Sequence, residues 1–159
     1  MAASHDNLLK IKRAVEVIND WGADLVVHCG DFSAPFAASP YKDLDAPMIA
    51  VYGNNDAERG LIREKLEQAG KKIPGTFAKV EIDNRKIAVT HGDNIDLLDS
   101  LIESQVFDAV IYGHSHQAST RVAGGVLALN PGEVCGYLTG RHTFATLDTA
   151  SMKAKIIRV

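Results

Sequence analysis

An α/β fold is predicted, with two mixed β-sheets packed face to face and helices on the outside. Two observations lead there. In the first part of the chain, short apolar runs of strand length alternate with stretches whose apolar residues recur at helical spacing. From residue 119 onward that spacing stops and short apolar runs stand alone, so strands end the chain. The 159 residues show no linker, internal repeat or domain boundary, and 1–159 is expected to form a single domain able to bury its own core.

Leu8, Ile11, Val15 and Ile18 recur every three to four residues and Gly22 follows as a stop signal, predicting an amphipathic helix over residues 6 to 20. Leu25 to His28 reads as a short buried strand running into Cys29-Gly30-Asp31-Phe32, which places Asp31 at its carboxyl end, where open α/β sheets gather ligand-binding groups. The design repeats: Met48 to Tyr52 is a strand, Gly53-Asn54-Asn55-Asp56 its turn, and residues 57 to 69 a surface helix. After Pro74, Phe77, Val80 and Ile82 mark one strand, Asp83-Asn84 a turn, and Lys86 to Thr90 a second strand, a hairpin that delivers His91-Gly92-Asp93. Leu97, Leu98, Leu101 and Ile102 form another helical stripe. Ala109 to Tyr112 is then a buried strand ending in Gly113-His114-Ser115-His116, and Leu127 to Leu129, Phe144 to Leu147 and Lys155 to Val159 read as the closing strands.

A net charge of −3 and a pI near 6.0 give no broad basic field, which argues against tight binding to nucleic acid or anionic lipid and leaves nucleic acid only the role of nucleotide substrate. The two cysteines, Cys29 and Cys135, lack the short spacing of a zinc or redox pair and read as buried small hydrophobes in a reducing compartment. No apolar run approaches the ~20 residues of a membrane span and no signal peptide is evident, so the cytoplasm is the expected location.

Three of the six histidines, His91, His114 and His116, follow predicted strands directly, beside glycines that let the backbone turn sharply. Packing does not explain that placement. Imidazoles mixed with a carboxylate and an amide oxygen suit divalent zinc, manganese, nickel or iron. His114 and His116 must lie in a loop, because in a strand they would share one face and in a helix diverge.

The order Gly-Asp at residue 31, Gly-Asn-x-Asp at 53 to 56, His-Gly at 91 and Gly-His-x-His at 113 to 116 resembles the calcineurin-like metallophosphoesterases over essentially the whole chain. Asn130-Pro131-Gly132-Glu133 and Gly136-Tyr137-Leu138-Thr139-Gly140 look like the small YfcE-type phosphodiesterase subgroup. The resemblance implies the metallophosphoesterase sandwich and a dinuclear metal centre in which Asp31 bridges, Asn54, His91 and His114 hold one ion, and His116 with His5 holds the other. Manganese is the first expectation; nickel, zinc, iron or magnesium also suit. Ser4-His5-Asp6-Asn7 matches the family's opening Asp-x-His-x-Asn motif except that Ala3 stands where its aspartate belongs, and the strand that should precede it is apparently missing, since only Met1 to Ser4 lie upstream. A late start of the chain and a real loss of that strand both account for this; His5 is a ligand on one reading and a solvated neighbour of a helix cap on the other.

The activity implied is hydrolysis of small phosphodiesters by a hydroxide that two ions about 3.5 to 4 Å apart generate. Many relatives carry a histidine where this chain has Asn55, which cannot act as a general acid. Modest activity on esters with good leaving groups is expected, with Asn55 hydrogen-bonding the phosphate or merely shaping a turn. The alternative is a scaffold or binding module of the same fold, impaired by the lost aspartate. A homo-oligomer is compatible with either reading.

Overall fold

The computed structural model describes residues 1–159. Its elements follow the alternation in the sequence: α1 (Leu8–Trp21), β1 (Val26–His28), a 3-10 helix (Pro35–Asp43), β2 (Met48–Val51), α2 (Arg59–Gln68) and β3 (Lys72–Gly75). Then come β4 (Phe77–Ile82), β5 (Arg85–Thr90), α3 (Ile95–Glu103), β6 (Ala109–Ile111), β7 (Ser119–Ala123), β8 (Val126–Asn130), β9 (Thr143–Asp148) and β10 (Lys153–Arg158). No helix is long and apolar enough to cross a membrane.

α1 starts at Asn7, whose side chain accepts the Lys10 amide at 3.3 Å, and stops at Gly22, whose φ of 74° lets its N–H reach the carbonyls of Ile18 and Asn19. Its Ile11, Ala14, Val15 and Ile18 stripe is buried. That stripe packs with Tyr41, Ile62 and Leu66 into a core on one side of the parallel sheet β1-β2-β3. The second sheet, β4-β5-β6-β8-β7, is mixed: β5, β6 and β8 run parallel, with antiparallel strands at both edges. Val51, Val89, Ile111, Leu127 and Leu129 fill the interface between the sheets, and the antiparallel β9–β10 hairpin adds Ala145, Leu147 and Ile156 to it. Ala88, Val110 and Ala128 face away from that interface and receive Leu98 and Ile102 of α3. The layers are helix, sheet, sheet, helix.

Three elements were not expected. β3 contains Pro74 and β7 is exposed along most of its length, so neither shows an alternating pattern; each has a single strand partner, at a sheet edge where proline and polar residues are tolerated. The 3-10 helix has Pro40 inside it, which sequence reading treats as a breaker. No strand forms before α1, as expected; Met1–Ala3 are buried in its place and are bonded on both sides. The Cys29 amide donates to the Met1 carbonyl at 2.9 Å and Ala3 N to Gly30 O at 3.1 Å; on the other side Val134 N and Cys135 N donate to Ala2 O and Ala3 O, each at 3.1 Å.

Because β1 and β2 run parallel, as do β5, β6 and β8, the loops after these five strands can collect along one edge.

Candidate metal centre

The loops after β1 and β2 touch backbone to backbone. A Cβ on Gly30 would overlap the Gly53 backbone, and one on Gly53 would overlap the Asp31 carboxylate, so two glycines are needed for the approach. One buried carboxylate clamps both loops: Asp56 accepts the amides of Asp31 (3.0 Å), Phe32 (2.6 Å), Ser33 (2.9 Å) and Gly53 (2.8 Å). Arg59 lies over the Tyr52 ring and donates to the carbonyls of Asp56 and Gly53, bracing the same turn.

So held, the Asp31 side chain is 1% exposed and accepts both the backbone amide (3.0 Å) and the side-chain amide (2.9 Å) of Asn55. Its Oδ2 lies 3.4 Å from His91 Nε2 and 3.8 Å from His5 Nε2, which places one carboxylate between two imidazoles.

Each ring nitrogen that faces away from this centre is tied down, except at His114. His91 Nδ1 donates to the Cys29 carbonyl at 2.7 Å, His116 Nδ1 to Glu133 Oε2 at 2.7 Å, and His5 Nδ1 is hydrogen-bonded to Ser33 Oγ at 2.6 Å. Nε2 of His91 then faces Asn54 Oδ1 at 2.9 Å, and His114 Nδ1 faces the same oxygen at 3.1 Å. Nε2 of His5 and Nε2 of His116 face each other at 3.5 Å. A neutral imidazole whose one proton is spent on a carbonyl can only offer a lone pair to another oxygen, an arrangement that a cation between them resolves. Anchored outer nitrogens with converging inner ones are the pattern of metal-ligating histidines, so the donor set fits divalent ions. His114 and His116 adopt φ values of 63° and 61°, left-handed for both, and Asn130 Nδ2 secures their loop through Gly113 O (2.7 Å) and Ser115 Oγ (3.0 Å).

The charges of the protein alone pair Asp31 with His91. Burial opposes ionisation of Asp31, but hydrogen bonds from His91 and Asn55 outweigh it and hold the carboxyl well below the usual range. Burial likewise opposes charge on His91, and Asp31 reverses it, leaving the ring above its ordinary value. His5 is lowered, chiefly by burial. Glu133 sits at about 2: burial pushes up, while bonds from His116, Thr139 and Cys135 pull down further.

All seven residues singled out in the sequence, His5, Asp31, Asn54, Asn55, His91, His114 and His116, lie in this one cluster or bond directly to it. The N-cap beside His5 is Asn7, and the His5 ring points inward, 14% exposed. Asp56, Glu133 and Cys135 were missed. Asp56 and Glu133 fall inside the Gly-Asn-x-Asp and Asn-Pro-Gly-Glu motifs, but their spacing to the groups they hold gives no periodic signal. Cys135, whose thiol donates to Glu133 Oε2 at 3.1 Å, has Sγ within 4.8 Å of donor atoms of His5 and His116; burial pushes that thiol up to about 12.

The family model for the calcineurin-like phosphoesterase superfamily domain matches residues 1–152. The chain belongs to that superfamily. Phosphodiesterase MJ0936 of Methanocaldococcus jannaschii is 43% identical to it over 150 residues, 94% of this chain and 90% of that protein. A solved archaeal phosphodiesterase superposes with a TM-score of 0.95 at 41% identity, covering 100% of this chain and 97% of its own. The phosphoesterase YfcE of E. coli shares the fold at a TM-score of 0.73 and 18% identity, with 98% and 95% covered. Membership of the calcineurin-like phosphoesterases implies divalent metal ions.

Proposed function

We propose that this calcineurin-like phosphoesterase is a metal-dependent phosphodiesterase acting on small diesters, nucleotide esters among them. The observation that carries the reading is the Asp31 carboxylate lying between His91 and His5, with the outer nitrogens of His5, His91 and His116 all anchored. The 43% identity to a phosphodiesterase supports it.

Asn54, His91 and His114 would hold one ion, His5 and His116 the other, with Asp31 shared. Bound divalent ions supply acidified water and positive charge against the phosphate oxygens. The chain's own part is orientation. Cys29 O, Ser33 and Glu133 fix the rings of His91, His5 and His116, while Asn55, itself exposed, fixes Asp31. Lacking a titratable proton, Asn55 cannot protonate a leaving group, so activated diesters turn over fastest. Manganese is the first metal to add, with nickel, zinc, iron and magnesium as comparisons. Two free buried thiols fit a cytoplasmic setting.

The test is hydrolysis of a bis-aryl phosphate with added manganese by the purified protein, and its loss in Asp31→Ala and His91→Ala. Activity retained in both variants, or none in the parent, rejects the reading and favours a scaffold.

A further inference from the structure

The position that His5 and His116 would share lacks the carboxylate that Ala3 replaces. We infer that Cys135 supplies the missing anion there, making a His5–His116–Cys135 site that selects zinc or cobalt(II) over manganese and magnesium. This rests on the metal-dependent reading above and refines one half of it.

Four observations carry the inference. Donor atoms of His5, His116 and Cys135 lie within 4.8 Å of one another. The two Nε2 atoms are 3.5 Å apart, close to the roughly 3.3 Å expected of two nitrogens about 2.0 Å from one tetrahedral ion. Cys135 is pinned beside the altered position: its amide donates to the Ala3 carbonyl at 3.1 Å, and its own carbonyl accepts Asn7 Nδ2 at 2.9 Å. Finally, the thiol's side-chain partner is Glu133, which also accepts from His116, Leu138 and Thr139, so the carboxylate keeps its other bonds if the sulfur turns away.

An ion with a Zn–S bond near 2.3 Å would bring sulfur and nitrogen to roughly 3.5 Å, so a thiol already within 4.8 Å needs to close in by at most on the order of 1 Å. The S–H proton passes to solvent and the thiolate pair forms the metal bond. The single negative charge of the absent aspartate is thereby restored. Thiolate is a soft ligand, and its presence shifts preference away from the hard ions that a carboxylate would serve.

Cobalt(II) is the probe, added alone to the full chain. The expected result is a sulfur-to-cobalt charge-transfer band in the near ultraviolet, at two ions bound per chain, which zinc abolishes by displacement. The band should vanish in Cys135→Ser, with at least tenfold weaker binding of one ion, and persist in Cys29→Ser. It should also fall in Ala3→Asp, where a carboxylate competes with the thiol. Cobalt bound by the parent without the band overturns the inference, whatever the variants do, and so does a band that survives Cys135→Ser. Failure of the two readings is distinguishable: diester hydrolysis without the band removes only the cysteine ligand, whereas the band without hydrolysis leaves a zinc-binding protein and removes the phosphodiesterase.

Discussion

Asp56 offers a measurable test of how the centre is built. Replacing it by alanine removes the acceptor for four backbone donors, those of Asp31, Phe32, Ser33 and Gly53, in two different loops. The carboxylate is 2% exposed, and three of the four bonds are buried. A buried donor left without a partner costs about 1–3 kcal/mol, so even at the low end the loss is about 3 kcal/mol. A domain of this length loses about 2–4 °C of Tm per kcal/mol, which gives a fall of at least about 6 °C. The assay is thermal unfolding followed by circular dichroism in excess chelator, so that metal binding does not mask the effect. Asp56→Asn keeps one oxygen but turns an NH2 group toward donors, and is expected to lose at least half as much. A fall below about 2 °C in Asp56→Ala would refute the clamp.

Glu133 gives a pH signature. Its carboxyl is held at about 2 against an ordinary 4.5, so the stabilisation it contributes is complete above pH 4.5 and is lost as pH falls through 2. The stability gap between parent and Glu133→Gln should therefore be wide near neutrality and close in acid; a gap constant across the titration contradicts this. Chelation should lower the Tm of the loaded protein: at an ion concentration about 100 times Kd, binding adds about 2.7 kcal/mol, and calorimetry with and without chelator should show a shift of roughly 5–10 °C. Asn55→Ala removes the amide bond to Asp31 at 2.9 Å and should cut kcat on a bis-aryl phosphate by about tenfold, while Asn55→His should extend activity to poorer leaving groups. A flat dependence of rate on leaving-group pKa in the parent speaks against the missing-acid account.

The residues with strong local signals were legible. Asp31, His91 and His114 each close an apolar run beside a glycine, and the hairpin turn at Asp83-Asn84 takes the positive φ values of 50° and 60° that such a dipeptide favours. What stayed hidden depends on contacts that follow no helical or strand period. Glu133 acts by receiving His116, Cys135, Leu138 and Thr139 together, and Asp56 by reaching back to residues 31 to 33; neither leaves a trace in periodicity. His28 reads as an ordinary strand residue, yet its ring is fully buried against Phe32 and bonded to Ser4 Oγ at 3.0 Å. Edge strands β3 and β7 escaped because Pro74 interrupts the first and the second is exposed along most of its length.

The sequence separation of the proposed ligands has a kinetic consequence. His5 and His116 become neighbours only once the strands between them are registered, and the β1–β2 and β6–β8 pairings join segments that must first search for one another. On the proposed metal-dependent reading, an incoming cation meets both imidazoles together only once that registry exists. Such an ion would lengthen the lifetime of the native molecule more than it hastens its arrival, a latch on a finished structure and not a seed for it.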